Sequence, residues 1–283
     1  MKPASSQSSP VLALVLVTAL CGGVVGCGGA AGDSGPRPSG AAKDEAAPIG
    51  GPRAPRASLL NHGPRERRRV ALTFDADMTQ AKLAELRASG GAAASDWYDR
   101  RVVRELERTR TPATIFMGGL WARAHPEAAR ALARSPLFQI ENHSLSHLGF
   151  KSPCYGLETT ASRATKRREV IRSSNVIEEV TGERPRFFRF PGGCHAKKDL
   201  RLVAAAGEQP LGWDVVSGDA GQTDASAVAE AVRDGVKPGS IVVLHMVGAP
   251  NAPATAAALR EIIPALRRDG YELVTIDTLL DRR

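Results

Sequence analysis

The stretch RRRVALTFDADMTQ at residues 67–80 ends an apolar run in two carboxylates, Asp75 and Asp77, just before helix-forming sequence begins. Paired acids of this kind serve as a general base or as metal ligands, although a polar strand end with a helix cap near Thr79 looks the same. Further on, ENHSLSH places His143 and His147 four residues apart. At helical spacing both imidazoles point to one side and suit one divalent ion. A carboxylate as third ligand makes a His-His-Asp set and leaves a position open for water, as catalytic zinc sites do.

Elements must bring these residues together. Strands are predicted at 69–75, 112–118, 137–143, 185–191, 209–216, 240–245 and 271–277 from their short apolar runs. Helical patterns lie between them: YDRRVVRELERT, GLWARAHPEAARALARS, SRATKRREVIRSSNVIEEVTG, ASAVAEAVRDG and PATAAALREIIPALRRDG. About seven parallel strands with intervening helices predict a single α/β domain over residues 65–283, a distorted (β/α) barrel in preference to an open sheet. No G-x-G-x-x-G or Walker sequence supports a nucleotide site. In a parallel fold the working site forms at the carboxyl ends of the strands. The residues there are Asp75 and Asp77, His143, Arg189 with Pro191, Asp214 through Asp219, and His245.

With those residues in place, the chain from about 67 to 280 resembles the polysaccharide deacetylases of the NodB-homology type, carbohydrate esterase family 4. Five stretches stand in family order: TFDAD at 73–77, HSLSH at 143–147, RFPGG at 189–193, WDVVSGD at 213–219 and VVLH at 242–245. The resemblance implies a distorted (β/α) barrel that removes N- or O-acetyl groups from sugars with one divalent ion, zinc or a similar metal such as cobalt. Asp75 would be the general base, held by Arg189, and His245 the acid, supported by Asp219. Pro191, Gly192 and Leu244 would face the substrate, with the Gly192 N–H on the oxyanion. His143 and His147 would be metal ligands.

Three departures from the family pattern accompany the match. Ala76 stands where the family has its metal-binding Asp, and Asp77 follows one residue later, where the family has Gly. Either the turn shifts so that Asp77 is the third ligand, the favoured reading, or two histidines complete their shell with water. Gly192 replaces an aromatic residue, and Ala220 stands where the family usually has Trp. The segment from Asp77 to Asp99 is longer than the family usually needs and is expected to line the cleft. A catalytically inactive glycan-binding protein on the same fold is the rival reading. A metalloprotease is disfavoured, because HSLSH lacks the Glu that H-E-x-x-H uses as base.

The chain has 283 residues, 42% of them hydrophobic, enough for one large core once the non-globular front is set aside. Residues 1–27 have a Lys near the start, an apolar run from Val11 to about Val25 and small residues leading to Cys27, a secretory signal whose VVGC resembles a lipobox. Residues 28–64, rich in Gly, Ala, Pro and Ser without hydrophobic period, are expected to be a disordered tether. The expectation is therefore an exported lipoprotein on the outer membrane face, or a freely secreted protein, acting as a monomer on an acetylated polysaccharide. The net charge of +8 is spread among acids without interleaved aromatics, which argues against nucleic acid. Of four cysteines, Cys154 and Cys194 lie in the folded part, and export favours a disulfide between them over two buried thiols.

If Cys27 carries lipid, the native protein will partition into detergent and its intact mass will show a diacylated N-terminal cysteine. A water-soluble product with an unmodified N-terminus excludes the anchor.

Overall fold

The computed structural model describes residues 54–90 and 96–281. The expected signal segment, Cys27 and residues 28–53 of the expected tether lie outside them. Among the described residues, no helix is long and apolar enough to cross a membrane.

Among the described residues, eight strands form one sheet: β1 (Arg69–Ala76), β2 (Ala113–Met117), β3 (Phe138–Asn142), β4 (Phe187–Phe188), β5 (Gln209–Pro210), β6 (Val215–Val216), β7 (Ser240–His245) and β8 (Glu272–Leu273). The order is β5-β4-β3-β2-β1-β7-β6, with β8 pairing β1, and the strand pairings are parallel. Among the described residues, nine helices accompany them: α1 (Gln80–Ala88), α2 (Arg100–Arg108), α3 (Gly119–Ala124), α4 (Pro126–Arg134), α5 (Arg163–Thr181), α6 (Lys197–Ala205), α7 (Ala225–Gly235), α8 (Thr255–Arg268) and, after the last strand, α9 (Ile276–Leu279).

Every β1 residue after Arg69 is buried, because helices cover one face of this central strand and the curled sheet encloses the other. Side chains alternate between those faces. Val70, Leu72, Phe74 and Ala76 join the helix-side core with Leu106, Val232, Leu259 and Ile263. Ala71 joins a second cluster with Phe116, Phe187, Leu211, Ile241 and Ile276, drawn from strands far apart in the sheet, which marks the interior of a curled, barrel-like sheet. Thr73 and Asp75 follow Ala71 on that inner side.

Four sequence expectations change. The single strand expected at 209–216 is two short strands on opposite edges of the sheet, β5 beside β4 and β6 beside β7, with Leu211–Asp214 crossing between them. The strand expected at 271–277 stops at Leu273, because Thr275 caps α9 by accepting from the Thr278 N–H. The helix expected across GLWARAHPEAARALARS is two helices. Pro126 has no N–H to donate and starts α4 at its first turn. Helix α6, unmarked by a strong apolar period, begins where the Asp199 carboxylate accepts from the Ala196 N–H at 2.8 Å.

The largest correction concerns the tether, whose last residues are part of the domain. The Leu60 N–H donates to the Pro210 carbonyl (3.1 Å) and the Leu60 carbonyl accepts from Gly212 (2.8 Å), while Gly63 donates to Gly239 (2.8 Å). Leu60 bridges Leu211 in parallel and His62 bridges Ser240 in antiparallel. Gln209 fixes both sides, accepting from the Arg56 N–H and donating to the Ser58 carbonyl. Arg65 adds an ion pair to Asp214 at 2.7 Å. This strap spans from the β5 side to β7 and covers the gap between the two edges. Composition misled here because a strand-like bridge of a few backbone hydrogen bonds needs no apolar period.

A chain beginning at residue 66 should therefore unfold at a temperature roughly 5 °C or more below one beginning at residue 54, since several backbone hydrogen bonds worth about 0.5–1.5 kcal/mol each are lost. Equal midpoints in thermal denaturation would show that the strap adds nothing to the barrel.

Candidate active site

The site is laid out by strand register. Asp75 and His245 are direct neighbours across the β1–β7 pairing, and both belong to the inner-facing set of their strands. On the other side, the His143 N–H continues the ladder to Met117, and the Arg189 N–H donates to the Asn142 carbonyl. The carboxyl ends of β1, β3, β4 and β7 thus deliver an acid, an imidazole, a guanidinium and a second imidazole to one rim.

Asp75 is 3% exposed and Arg189 fully buried. Arg189 Nη1 donates to Asp75 Oδ1 at 2.8 Å, Nη2 reaches the Gly212 carbonyl at 3.4 Å, and the guanidinium lies 3.8 Å from the centre of the Phe116 ring. Burial alone would raise the Asp75 pKa, but the neighbouring His143, Arg189 and His245, with the Arg189 hydrogen bond, outweigh it and hold the carboxyl below its ordinary value. Burial lowers the Arg189 pKa from its very high ordinary value, with Asp75 opposing.

His245 forms the second pair. Its Nδ1 meets Asp219 Oδ1 at 2.8 Å, and its backbone N–H donates to Asp219 Oδ2 at 2.8 Å. Thr255 and Ser217 hydroxyls donate to the same carboxylate at 2.7 and 3.0 Å. Burial would lower the His245 pKa, yet the hydrogen bond and charge of Asp219, with Asp75 and Asp77 beyond, raise it to about 9. At neutral pH this ring is an imidazolium whose Nδ1 is engaged, so Nε2–H is the proton it can give.

The histidine pair is not on a helix, which corrects the helical spacing. Residues 143–148 form an irregular loop in which Ser144 and His147 both have positive φ, 69° and 60°. The loop is held by Ser144 N–H to Asn142 Oδ1 (2.9 Å), His147 N–H to Ser144 Oγ (3.0 Å) and the double contact of Ser146 with the Glu169 carboxylate (2.8 Å each). The turn brings the two rings to 5.0 Å between centres. His143 Nδ1 lies 3.1 Å from the Arg189 carbonyl, which fixes the proton there and leaves Nε2 with its lone pair, buried and without a hydrogen bond. Burial brings the His143 pKa down to about 4, so the ring is neutral. A neutral imidazole nitrogen that makes no hydrogen bond, with Asp75 Oδ2 3.5 Å away and a second imidazole beside it, fits a divalent ion. Among the described residues, no three His, Cys, Asp or Glu side chains are gathered as a ligand group, so the fit rests on the imidazole pair.

Ala76 points into the helix-side core, whereas Asp77, two residues after Asp75, is 4% exposed and acts electrostatically on both His143 and His245. Its Oδ1 accepts from Trp97 Nε1 at 3.1 Å. Trp97, at φ 59°, is anchored in turn by Trp121 Nε1 donating to its carbonyl at 3.0 Å. The long segment after Asp77 thus forms α1 and returns as a side chain that orients this acid. Trp97, Asn142, Glu169 and Thr255 escaped the sequence reading. Of the polar partners, Ser217, Ser144 and Ser146 lie inside motifs and Asn142 directly before one, whereas Glu169 and Thr255 stand far from any.

One substrate-facing expectation changes. Leu244 is fully buried in the helix-side core, because alternation along β7 puts Val243 and His245 on the inner face, so Leu244 cannot face substrate. Pro191 is buried as well, in the 3-10 turn Pro191–Gly193. Gly192 has φ 58°, and a Cβ there would lie 2.9 Å from Cys154 Sγ. An aromatic residue cannot occupy this position beside the Cys154–Cys194 disulfide, whose Cα atoms are 5.9 Å apart.

A family model described as polysaccharide deacetylase matches residues 62–211, just over half of the 283-residue chain. The chain belongs to this family. A chitooligosaccharide deacetylase from Sinorhizobium fredii is 29% identical over 184 residues, covering 62% of this chain and 81% of the relative. The crystal structure of a family 4 acetyl xylan esterase from Clostridium thermocellum, in complex with cobalt, superposes with a TM-score of 0.57 at 27% identity, covering 75% of this chain and 90% of the esterase. A family 4 pseudoenzyme from Bacillus anthracis gives a TM-score of 0.65 at 21% identity, covering 80% and 70% of the two chains. At that identity the likeness speaks for the fold alone.

The His245–Asp219 pair fixes the sign of one pH effect. Because the folded pKa near 9 exceeds the ordinary 6.5, the pair's stabilisation is full below about pH 6.5 and is lost as pH rises through 9. In chelator, the stability gap between the parent and His245→Gln should be widest near about pH 6 and narrow by about pH 10 in denaturant titrations. A gap independent of pH would show that the ring does not gain a proton on folding.

Proposed function

We propose that this protein hydrolyses acetyl groups from a polysaccharide, with Asp75 as base and His245 as acid, and that a divalent ion assists. The reading is carried by the register that sets Asp75 beside His245, each inside its own buried ion pair, on the rim that holds the histidine pair. His143 and His147 would hold the ion, with Asp77 as third ligand in the orientation Trp97 gives it. Zinc suits this donor set, and cobalt is the ion in the complex of the acetyl xylan esterase that shares the fold. When bound, the ion supplies carbonyl polarisation and a more acidic water.

The chain's own groups handle the protons. Asp75, fixed by Arg189, accepts the proton of the water that adds to the acetyl carbonyl. His245 Nε2 then delivers a proton to the departing sugar nitrogen or oxygen, so that acetate and a free amine or hydroxyl leave. Asp219 keeps the imidazole charged and aligned before transfer. The Gly192 N–H, on the loop beside Arg189, remains the candidate oxyanion donor. The acetylated sugars of peptidoglycan, a chitin-like glycan or acetylated xylan are the substrates this reading admits. Export and lipid attachment at Cys27, supported by VVGC, would place a monomeric enzyme near a surface polymer.

A second reading, a glycan-binding protein without turnover, has three observations in its favour. Asp77 stands one residue late and already holds a tryptophan, and no three-ligand group is gathered among the described residues.

Acetate release from acetylated oligosaccharides, with and without chelator, separates the two. Asp75→Asn and His245→Ala should each lower turnover by about 10²–10⁴-fold with metal content near that of the parent. His143→Ala should lose metal in elemental analysis. Glycan binding without acetate release at any metal concentration would support the inactive reading.

A further inference from the structure

Away from the catalytic pair, the first turns of α5 and α6 enclose a cavity of about 190 Å³ lined by Ala161, Arg163, Lys166, Lys198, Asp199, Arg201 and Leu202. Four cations surround one acid. That acid is spent: Asp199 takes both of its oxygens to the buried Lys166 ammonium, at 3.0 and 3.1 Å, and also accepts from the Ala196 N–H. Lys166–Asp199 is the only ion pair at the cavity among the described residues, which leaves Arg163, Lys198 and Arg201 without a carboxylate partner. Fold stability does not call for Arg163 and Lys198 there, because cations in the first turn oppose the helix dipole; α5 has no acid in its first turn, and the one in α6, Asp199, is taken by Lys166.

The cavity lies on the working side of the barrel. In a parallel unit a strand's carboxyl end and the start of the helix that follows it share one rim, and α5 and α6 follow β3 and β4, which carry His143 and Arg189. Packing makes the connection physical. The Lys166 ammonium sits 5.5 Å from the Phe150 ring, and the Phe150 N–H donates to the Cys194 carbonyl at 3.0 Å. Phe150 in turn packs edge-on against Phe190, the residue before Pro191, at 5.3 Å between centres.

From this cavity we infer an anion subsite, formed by Arg163, Lys198 and Arg201 on the Lys166–Asp199 floor, that takes a phosphate or carboxylate group borne by the polysaccharide. The inference rests on the proposed deacetylase reading and narrows its substrate to an acidic polymer. Neutral sugars offer these cations only single uncharged hydroxyl or amide oxygens, whereas either anion accepts several charge-assisted hydrogen bonds from them at once. The floor pair holds Lys166 rigid, so ligand binding has only the three outer side chains to order.

The test uses the full-length protein and the double variant Lys198→Glu/Arg201→Glu, both positions being exposed and outside the packed core. Acetate release is measured on a neutral acetylated oligosaccharide and on the same oligosaccharide bearing carboxylates or phosphates. The variant should raise KM for the acidic substrate about three- to tenfold with kcat unchanged, and leave the neutral substrate alone. Raised salt should weaken the parent's preference for the acidic substrate. Calorimetric titration with inorganic phosphate and, separately, glucuronate should show which anion the parent prefers and that the variant binds neither. Equal kinetics on both substrates, or anion binding retained in the variant, overturns the subsite. A parent that releases no acetate from either substrate, while its anion titration is abolished in the variant, defeats the deacetylase reading and keeps the subsite.

Discussion

Burying a carboxylate and a guanidinium costs several kcal/mol for each ion, and only close geometry with further hydrogen bonds recovers it. The Asp75–Arg189 pair meets that condition with a 2.8 Å contact inside a cage of Phe116 and Trp213 rings and the Gly212 carbonyl. A hydrophobic pair of similar volume would serve the fold as well or better. What the ion pair secures is a charged acid at a fixed place in the barrel. The sheet is arranged around it: Arg189 emerges from β4, Asp75 from β1, and β2 and β3 fill the space between them in the sheet order.

The same economy of position governs the second pair. Asp219 receives the His245 N–H, the His245 ring, Thr255 and Ser217, so its carboxylate is saturated by groups drawn from β7, α8 and its own turn. Around the histidine loop, Asn142 does the comparable work. Its Oδ1 accepts from Ser144, and its Nδ2 donates to the Val170 carbonyl (3.0 Å) and to Glu208 Oε2 (2.9 Å). Glu208, buried and pushed up to about 8, and Glu141, pushed up to about 7, are structural acids. The latter accepts the Arg186 and Phe187 N–H groups at 2.7 Å and seats β4 against β3. Polar groups in such quantity inside one half of a barrel are tolerated because nearly every one has a partner.

The long central strands were legible from their apolar runs, and the charged residues at their ends marked the rim. TFDAD also contained its own explanation, since residues two apart share a face of a strand. That places Asp77 with Asp75 and sends Ala76 to the helices. The same alternation, applied to VVLH, excludes Leu244 and points to Val243, a step that motif matching alone passes over. Short edge strands were illegible, because two residues of β5 or β6 carry no period, and their neighbours are set by distant chain. The partners of the acids were hidden for the same reason. Thr255 lies 36 residues from Asp219 and Glu169 lies 23 from Ser146, and no local pattern marks either.

The strap at 54–64 couples the beginning of the domain to its far half. Leu60 needs Leu211 as its partner and His62 needs Ser240, so the covering of the sheet's open side is a strongly non-local event. A chain made or exported from its front end holds this segment ready for the whole time that the strands it must bridge do not yet exist. Loop-closure entropy over that span has to be met before the bridge returns any hydrogen bonds. The bridges of Leu60 and His62 thus cannot form before residues 211 and 240 are present, so the first segment of the domain waits on its later half.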